Sequence, residues 1–532
     1  MLRRAAALLS MLLGTVHFAT GCAGSDGTAN AASGNTEEGD NGESNDNNSS
    51  KGSSQENDNG DASSLSWTPL GPEGWSSYEP HADTVKIFVS SSQGDDTHTG
   101  MSKEQPVRTI ARALELARER SAAATIARPD WILFKAGDSW HESFQLRVDT
   151  IKGGLNIEYP FILTSYGDGD RPRFIWAEAG PLWGYGWWGG DYPTGDSAPA
   201  YWSIMGLDFH TPTKDPTSDR FDPTRVYDGS NPPVVAFQNQ GHHILFEDCR
   251  FRYTALIVQG GSDHVALRRN LFLDNYGYHD HTDTNSVYHH AQGLYVNEVE
   301  DLLIEENFFD HNGWLDETKY PTTAPTIFNH NAYLDASVTK VMIHANITAR
   351  ASADGFKARG GATVNNNLCL ENGINININE RGTLDVEQTA RYNVVLDALA
   401  LPLHGPEEYS GHLPRAWGIN FGTITESRLD ATGNIVAHSE FGSAPISGSC
   451  AAFPACVAGH LVHSWGPFPN SAGSFPDPDR SISTYMTSIG QTASLDAFLT
   501  EARLQARSNW RREYTAKAVN SYIRAGFGVA MN

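Results

Sequence analysis

The chain has 532 residues, with 38 Lys and Arg against 63 Asp and Glu and a formal net charge of −25. That length is too great for one compact core, so it demands several domains or one elongated repeat domain. The acidic balance excludes a general basic surface for a nucleic-acid backbone, while 50 glycines, 10% aromatics and only 19% charged residues fit a strand- and loop-rich extracytoplasmic protein.

Arg3 and Arg4 precede an apolar run over 5–19 and then Ala19-Thr20-Gly21-Cys22. A basic start, a short apolar core and small residues before a cleavage point describe a secretory signal. The cysteine after Gly21 resembles a bacterial lipoprotein box, although Ala19 stands where such boxes carry Leu. That resemblance implies a signal peptide over 1–22 with Cys22 lipidated. The protein is then expected on the outer membrane or cell surface of a bacterium, or secreted, and touches a membrane only through the lipid. Residues 23–66 are almost wholly Gly, Ser, Asn, Asp, Glu and Ala, with nine acids and one lysine. Such a segment buries too little apolar surface to offset its ordering entropy and reads as a disordered polar linker.

The folded region opens with KIFVSSSQGDDTHTG, continues through the helical spacing of IARALELARER and reaches the apolar strand WILFK. The order is strand, Gly/Asp turn, amphipathic helix and first coil. The acids of GDDTHTG form either a solvated turn or a structural Ca²⁺ loop. The Trp-rich stretch over 181–193 is either a platform for sugar stacking or a packed cap.

Short related segments recur from residue 249 onward: FEDCRF, DHVALRRNLFLDN, DLLIEENFFDHN, KVMIHANITAR, GATVNNNLCLEN and TARYNVVLDA. Each alternates apolar residues around Cys249, Asn270, Asn307, Asn346, Asn367, Asn393 or Asn434, at successive spacings of 21, 37, 39, 21, 26 and 41. Period-2 alternation marks strands, and a step of about 21–26 suits one turn of a three-stranded coil. An asparagine at each tight bend can hydrogen-bond to the next turn. The longer steps are one coil plus an insertion. This pattern resembles the pectate-lyase-like superfamily. It implies an all-β, right-handed, single-stranded parallel β-helix over 67–480, with an N-terminal capping helix.

Alternation also predicts an outward face. If Leu294 and Val296 point inward, Tyr295 and Asn297 point out; by the same parity Asn331, Tyr333 and Asp335, then Lys357 and Arg359, then Asn375, Asn377 and Asn379 face out, with Arg381 at the edge. Two insertions, 276–290 and 311–330, precede these strands and carry His279, Asp280, His281, His289, His290, His311, Asp316 and His330. Neighbouring insertions on one side of a solenoid build a wall. Aromatic, amide and cationic groups in a row suit an acidic polysaccharide.

β-Elimination beside a uronic acid needs neutralisation of the carboxylate, a base for the C5 proton and an acid for the leaving oxygen. Lys357, Arg359, Tyr333 and His330 supply these groups, with Lys357 as the base. Tyr295, Asn297, Asp335, Asn377, Asn379, His289, His290 and His311 are the candidate substrate contacts. A coil-spaced Lys and Arg is similar to the chondroitinase-B and alginate-lyase group, and the resemblance implies that Arg381 assists Lys357. That group carries acidic calcium ligands just before the lysine, where this chain has Arg350-Ala351-Ser352-Ala353-Asp354. No metal set is assigned, and Ca²⁺ is the one cofactor left open. A glycoside hydrolase would need paired carboxylates, for which Asp335 and Asp354 are the natural candidates, with Asp280 or Asp316 from the loops. A C5-epimerase or a non-catalytic glycan-binding surface protein uses similar parts.

Cys450 and Cys456 close a short loop and form the candidate disulfide, whereas Cys249 and Cys369 read as buried free thiols. Residues 481–532 have helical apolar spacing and form a C-terminal helical cap whose basic residues are expected on a solvated face. Nothing in the sequence demands an oligomer, so a monomer is expected.

Overall fold

The computed structural model describes residues 67–530 except 122–125, 142–143, 147–150, 176–180, 186–199, 224–233, 239–240, 278–289, 316–318, 321–322, 379–386, 402–413 and 424. Cys22, the signal segment and the polar linker lie outside the described residues.

Lys86–Val89 pairs in parallel with Trp131–Lys135, and from there the chain winds as a right-handed parallel β-helix. Each complete coil lays one short strand on each of three faces. The first face runs from Lys86–Val89 to Leu429–Thr432, the second from Phe144–Leu146 to Ala444–Gly448, and the third, eleven strands deep, from Ser139–Trp140 to Leu461–Trp465. Ala255–Arg268 and Leu294–Glu305 each run unbroken from the second face into the first, which merges those two faces into one 19-stranded sheet.

In-register pairing stacks like residues inside the coil. On the first face Phe246, Leu267, Ile304 and Ile343 follow one another, and on the third Phe209, Phe251, Phe272 and Phe309 stack face to face with centroids 4.6–5.2 Å apart. These residues belong to one continuous buried core. Helix Ile110–Ser121 joins the same core through Ile110, Ala113, Leu114 and Ala117. The acids of GDDTHTG are turn and cap groups: Asp95 accepts from Thr97, and Asp96 accepts from the main chain of Arg108 and Thr109 at the helix entry.

The asparagine ladder runs as the spacing predicts. Asn270 N donates to Asn307 Oδ1 at 2.9 Å and Asn307 N to Asn346 Oδ1 at 2.8 Å. The series continues through Asn367 and Asn393 to Asn434, while Cys249 N donates to Asn270 at the other end. Each ladder residue follows a left-handed corner residue: Asp248, Arg269, Glu306, Ala345, Asn366 and Tyr392 have φ between 51° and 59°. A left-handed corner turns the next amide along the stacking direction, where only a hydrogen-bonding side chain can meet it. Cys249 and Cys369 are buried free thiols in this stack, and burial pushes the Cys249 thiol up to about 12. Cys450 and Cys456 form a disulfide beside His460, whose Nδ1 closes the ladder against Asn434.

The C-terminal helices Ile482–Ser488, Leu495–Ala502 and Ala516–Gly526 lie along the outer side of the third face, where Ile482, Phe498, Val519 and Ile523 cover Leu271, Phe308, Ile347, Leu370 and Val394. Arg512 and Lys517 are exposed as helical spacing suggests, but other basic residues of this segment reach the stack. Arg503 holds Asp274 and Asp310, Arg507 donates to Ser76 O, and Arg524 donates to Gly433 O. Burial alone would raise the Asp274 carboxyl, but Arg503 and His311 outweigh it and hold it well below the usual carboxylate range.

The ladder makes a direct prediction. Asn307→Ala strips the acceptor from Asn270 N and the donor from Leu267 O, leaving buried main-chain groups unpaired. Unfolding in urea should show a loss of about 2–4 kcal/mol, whereas an unchanged midpoint would mean that the ladder merely accompanies the stack.

Candidate active site

On the second face, Tyr295, Tyr333, Lys357, Asn377, Asn420 and Ser447 occupy one register position in successive coils. Their flanking neighbours Leu294, Val296, Ala332, Leu334, Phe356, Ala358, Ile376, Ile378, Ile419 and Phe421 are all buried. Alternation therefore turns this column outward. Tyr295 and Tyr333 stack with centroids 5.7 Å apart, Asn420 Nδ2 donates to Asn377 Oδ1 at 2.9 Å, and Ser447 Oγ donates to Asn420 at 2.8 Å. Lys357 and Asn377 are recessed, at 8% and 2% exposed, between the partly exposed Tyr333 and Asn420.

Arg359, two residues after Lys357, donates from Nη1 to Tyr333 Oη at 2.8 Å. A guanidinium on a phenol oxygen stabilises negative charge there. Lys357 Nζ lies 5.9 Å from the Tyr333 ring centroid and 3.6 Å from Asp354 Oδ2. Asp354 is wholly enclosed, and His330 Nδ1 lies 3.0 Å from the same carboxylate oxygen and 3.2 Å from the Asp354 main-chain nitrogen. Burial by itself would raise the Asp354 carboxyl. Lys357 first, then His330 and Arg415, outweigh that cost and hold it at about 2. Asp354 is thus an ionised counter-charge beneath Lys357, not a group that can meet substrate.

Several sequence expectations change. Asn331 and Asn375 do not face outward; both are fully buried in a second amide network in which Asn312 donates to Asn331, Asn331 to Asn372, and Asn372 to Asn375. His330 is buried against Asp354 and Tyr333 rather than standing on a wall. His311 sits at a third-face corner, 3.2 Å from Asp274 and with its ring tilted against Trp314, in the network that fastens the C-terminal helices. Asn297 and Asp335 are drawn into a turn by Ser337, whose Oγ donates to Asn297 at 2.7 Å. His290 is exposed and stacks on Phe328. The residue one coil after Lys357 is Asn377; Arg381, Asn379, His279, Asp280, His281, His289 and Asp316 lie outside the described residues, as does most of the Trp-rich stretch.

Asn420, Ser447 and Arg415 were missed. Asn420 carries a readable signal, because Gly418-Ile419-Asn420-Phe421 repeats the parity of Ile376-Asn377-Ile378.

No family model and no curated protein matches the chain. Among solved structures it is similar to a rhamnogalacturonan lyase, at 11% identity and TM-score 0.35, covering 66% of this chain and 87% of that one. It is similar as well to an alginate lyase from Paenibacillus sp., at 10% identity and TM-score 0.30, covering 69% and 98%. A lacto-N-biosidase from Eubacterium ramulus aligns at 11% identity and TM-score 0.34, covering 71% and 68%. These likenesses are too distant to say anything of this chain's activity.

The electrostatics generate a pH prediction. Asp354 is depressed below the ordinary carboxylate value of about 3.9, so its contribution to stability is present above that value and is lost as pH falls towards 2. Asp354→Asn should therefore destabilise the protein most at neutral pH, with the gap from wild type closing in acid. Denaturant midpoints across that range check it, and a gap independent of pH would contradict the ion pair.

Proposed function

We propose that this chain cleaves a uronate-containing polysaccharide by β-elimination. The observation that carries the proposal is the recessed Lys357 ammonium beside Tyr333 on one outward column, with the Tyr333 phenol oxygen held by Arg359. The enclosed Asp354 favours the charged form of Lys357, which suits it to neutralising the sugar carboxylate rather than to serving as base. Asn377 and Asn420 extend that polar surface. Neutralising the carboxylate acidifies the C5 proton. Tyr333, stabilised as phenolate by Arg359, takes that proton; the electron pair forms the C4–C5 double bond, and the C4–O bond breaks. The same phenol, now protonated, is within the column to return a proton to the leaving oxygen. Stacked Tyr295 and Tyr333 offer aromatic surface for flanking sugars.

The hydrolase alternative loses Asp354, which is sealed from substrate, and keeps Asp335, while Asp280 and Asp316 lie outside the described residues. The acidic balance of the chain, its expected lipid attachment at Cys22 and its extracytoplasmic location accompany this proposal as expectations of the sequence.

The test offers the purified protein pectate, alginate, chondroitin sulfate, heparosan and ulvan while ultraviolet absorbance follows the new double bond. One substrate should give a rise that falls by a factor of about 10² or more in Tyr333→Phe and in Lys357→Ala. New reducing ends without that absorbance would establish hydrolysis and overturn the proposal.

A further inference from the structure

We propose that His242, His243 and Asp263 form a zinc site on the first face, separate from the Lys357 column. Three metal-ligating side chains converge there, and their nearest donor atoms all lie within 4.8 Å of one another. His242 Nδ1 and His243 Nδ1 are 2.9 Å apart. Tetrahedral zinc with nitrogen donors at about 2.0–2.1 Å sets neighbouring ligand atoms a little over 3 Å apart, so small side-chain rotations close the set.

Consecutive residues of a regular strand point to opposite faces and cannot share an ion. Here the backbone breaks that rule, because His243 adopts φ 56° at a corner of the coil. The left-handed turn brings both imidazoles to the outside. Register then supplies the third ligand, since Asp263 is the residue directly opposite His242 in the next coil.

The surroundings hold the ligands in place. His264 Nδ1 lies 3.0 Å from Asp263 Oδ1, and its Nε2 lies 3.5 Å from Asp301 Oδ2, which gives the liganding carboxylate an outer partner that is itself buttressed. His264 also stacks on His243 with centroids 4.4 Å apart, and Trp67 and Tyr201 pack against His243 from other sides. Lys152 is the nearby cation that opposes the ion, and Asp263 and Asp301 favour it. Two imidazoles and one carboxylate form a borderline-soft set that suits zinc better than calcium, and three protein ligands leave a fourth position for water or a ligand.

The test is calorimetric titration of the full chain, stripped by chelator, with Zn²⁺ alone. Wild type should bind one ion per chain at this site, and His243→Ala and Asp263→Asn should each weaken that event by at least about tenfold, as expected for a lost ligand. Unfolding midpoints measured without metal show whether each variant is folded; Asp263→Asn, nearly isosteric at a half-exposed position, serves if His243→Ala is not. Co²⁺ gives a second readout, a visible spectrum of tetrahedral type that disappears in His243→Ala. Absence of Zn²⁺ binding in wild type, or binding of equal strength in both folded variants, would overturn the proposal.

Discussion

Coil-to-coil register is the constraint on which everything else depends. Parallel strands alone would tolerate a slip, but a slip of one residue would turn every inward side chain outward. The amides of Asn270, Asn307, Asn346, Asn367, Asn393 and Asn434 prevent it by tying the main chain of each coil to a side chain in the next. Because every ladder residue follows a left-handed corner, the bend and its hydrogen bond are set together. The insertions between coils can then grow or shrink without moving the faces.

That register is what assembles a site from residues far apart in sequence. Tyr295, Tyr333, Lys357, Asn377 and Asn420 become neighbours only because their strands align, and the pairing holds across a 43-residue step between Asn377 and Asn420. Beneath this column the stack does something a simple solenoid core avoids: it encloses a carboxylate. Asp354 is tolerated there because Lys357 and His330 surround it. An enclosed ion pair is poor evidence for stability, and its best-supported use is to fix position. Here it fixes the recessed ammonium of Lys357 on the outward column that the proposed function assigns to an anionic sugar.

Much of the fold was legible in the chain because a solenoid writes its structure as local repetition. The ladder asparagines, the alternating apolar pairs around them and the free thiols of Cys249 and Cys369 could all be read from spacing. Legibility failed at corners. Asn331 and Asn375 stand at the start of their strands, where strand parity points them outward, but side-chain amides and main-chain carbonyls of neighbouring coils take up both, and both belong to the interior. His311 shares an insertion with His330, yet it pairs with Asp274. That partner is held in turn by Arg503, 229 residues away in the chain, a contact no local pattern announces. Asp354 stood three residues before Lys357 in plain sight, but nothing in the sequence says that it is sealed inside.

The central claim is that the Tyr333–Lys357–Asn377 column receives an acidic sugar. A crystal structure of Tyr333→Phe with a saturated uronate-containing oligosaccharide tests this most directly. The account predicts a uronate carboxylate against Lys357 Nζ and Asn377, with the C5 hydrogen directed at the position of the missing hydroxyl. A saccharide bound on another face, or one whose carboxylate points away from Lys357, would contradict it.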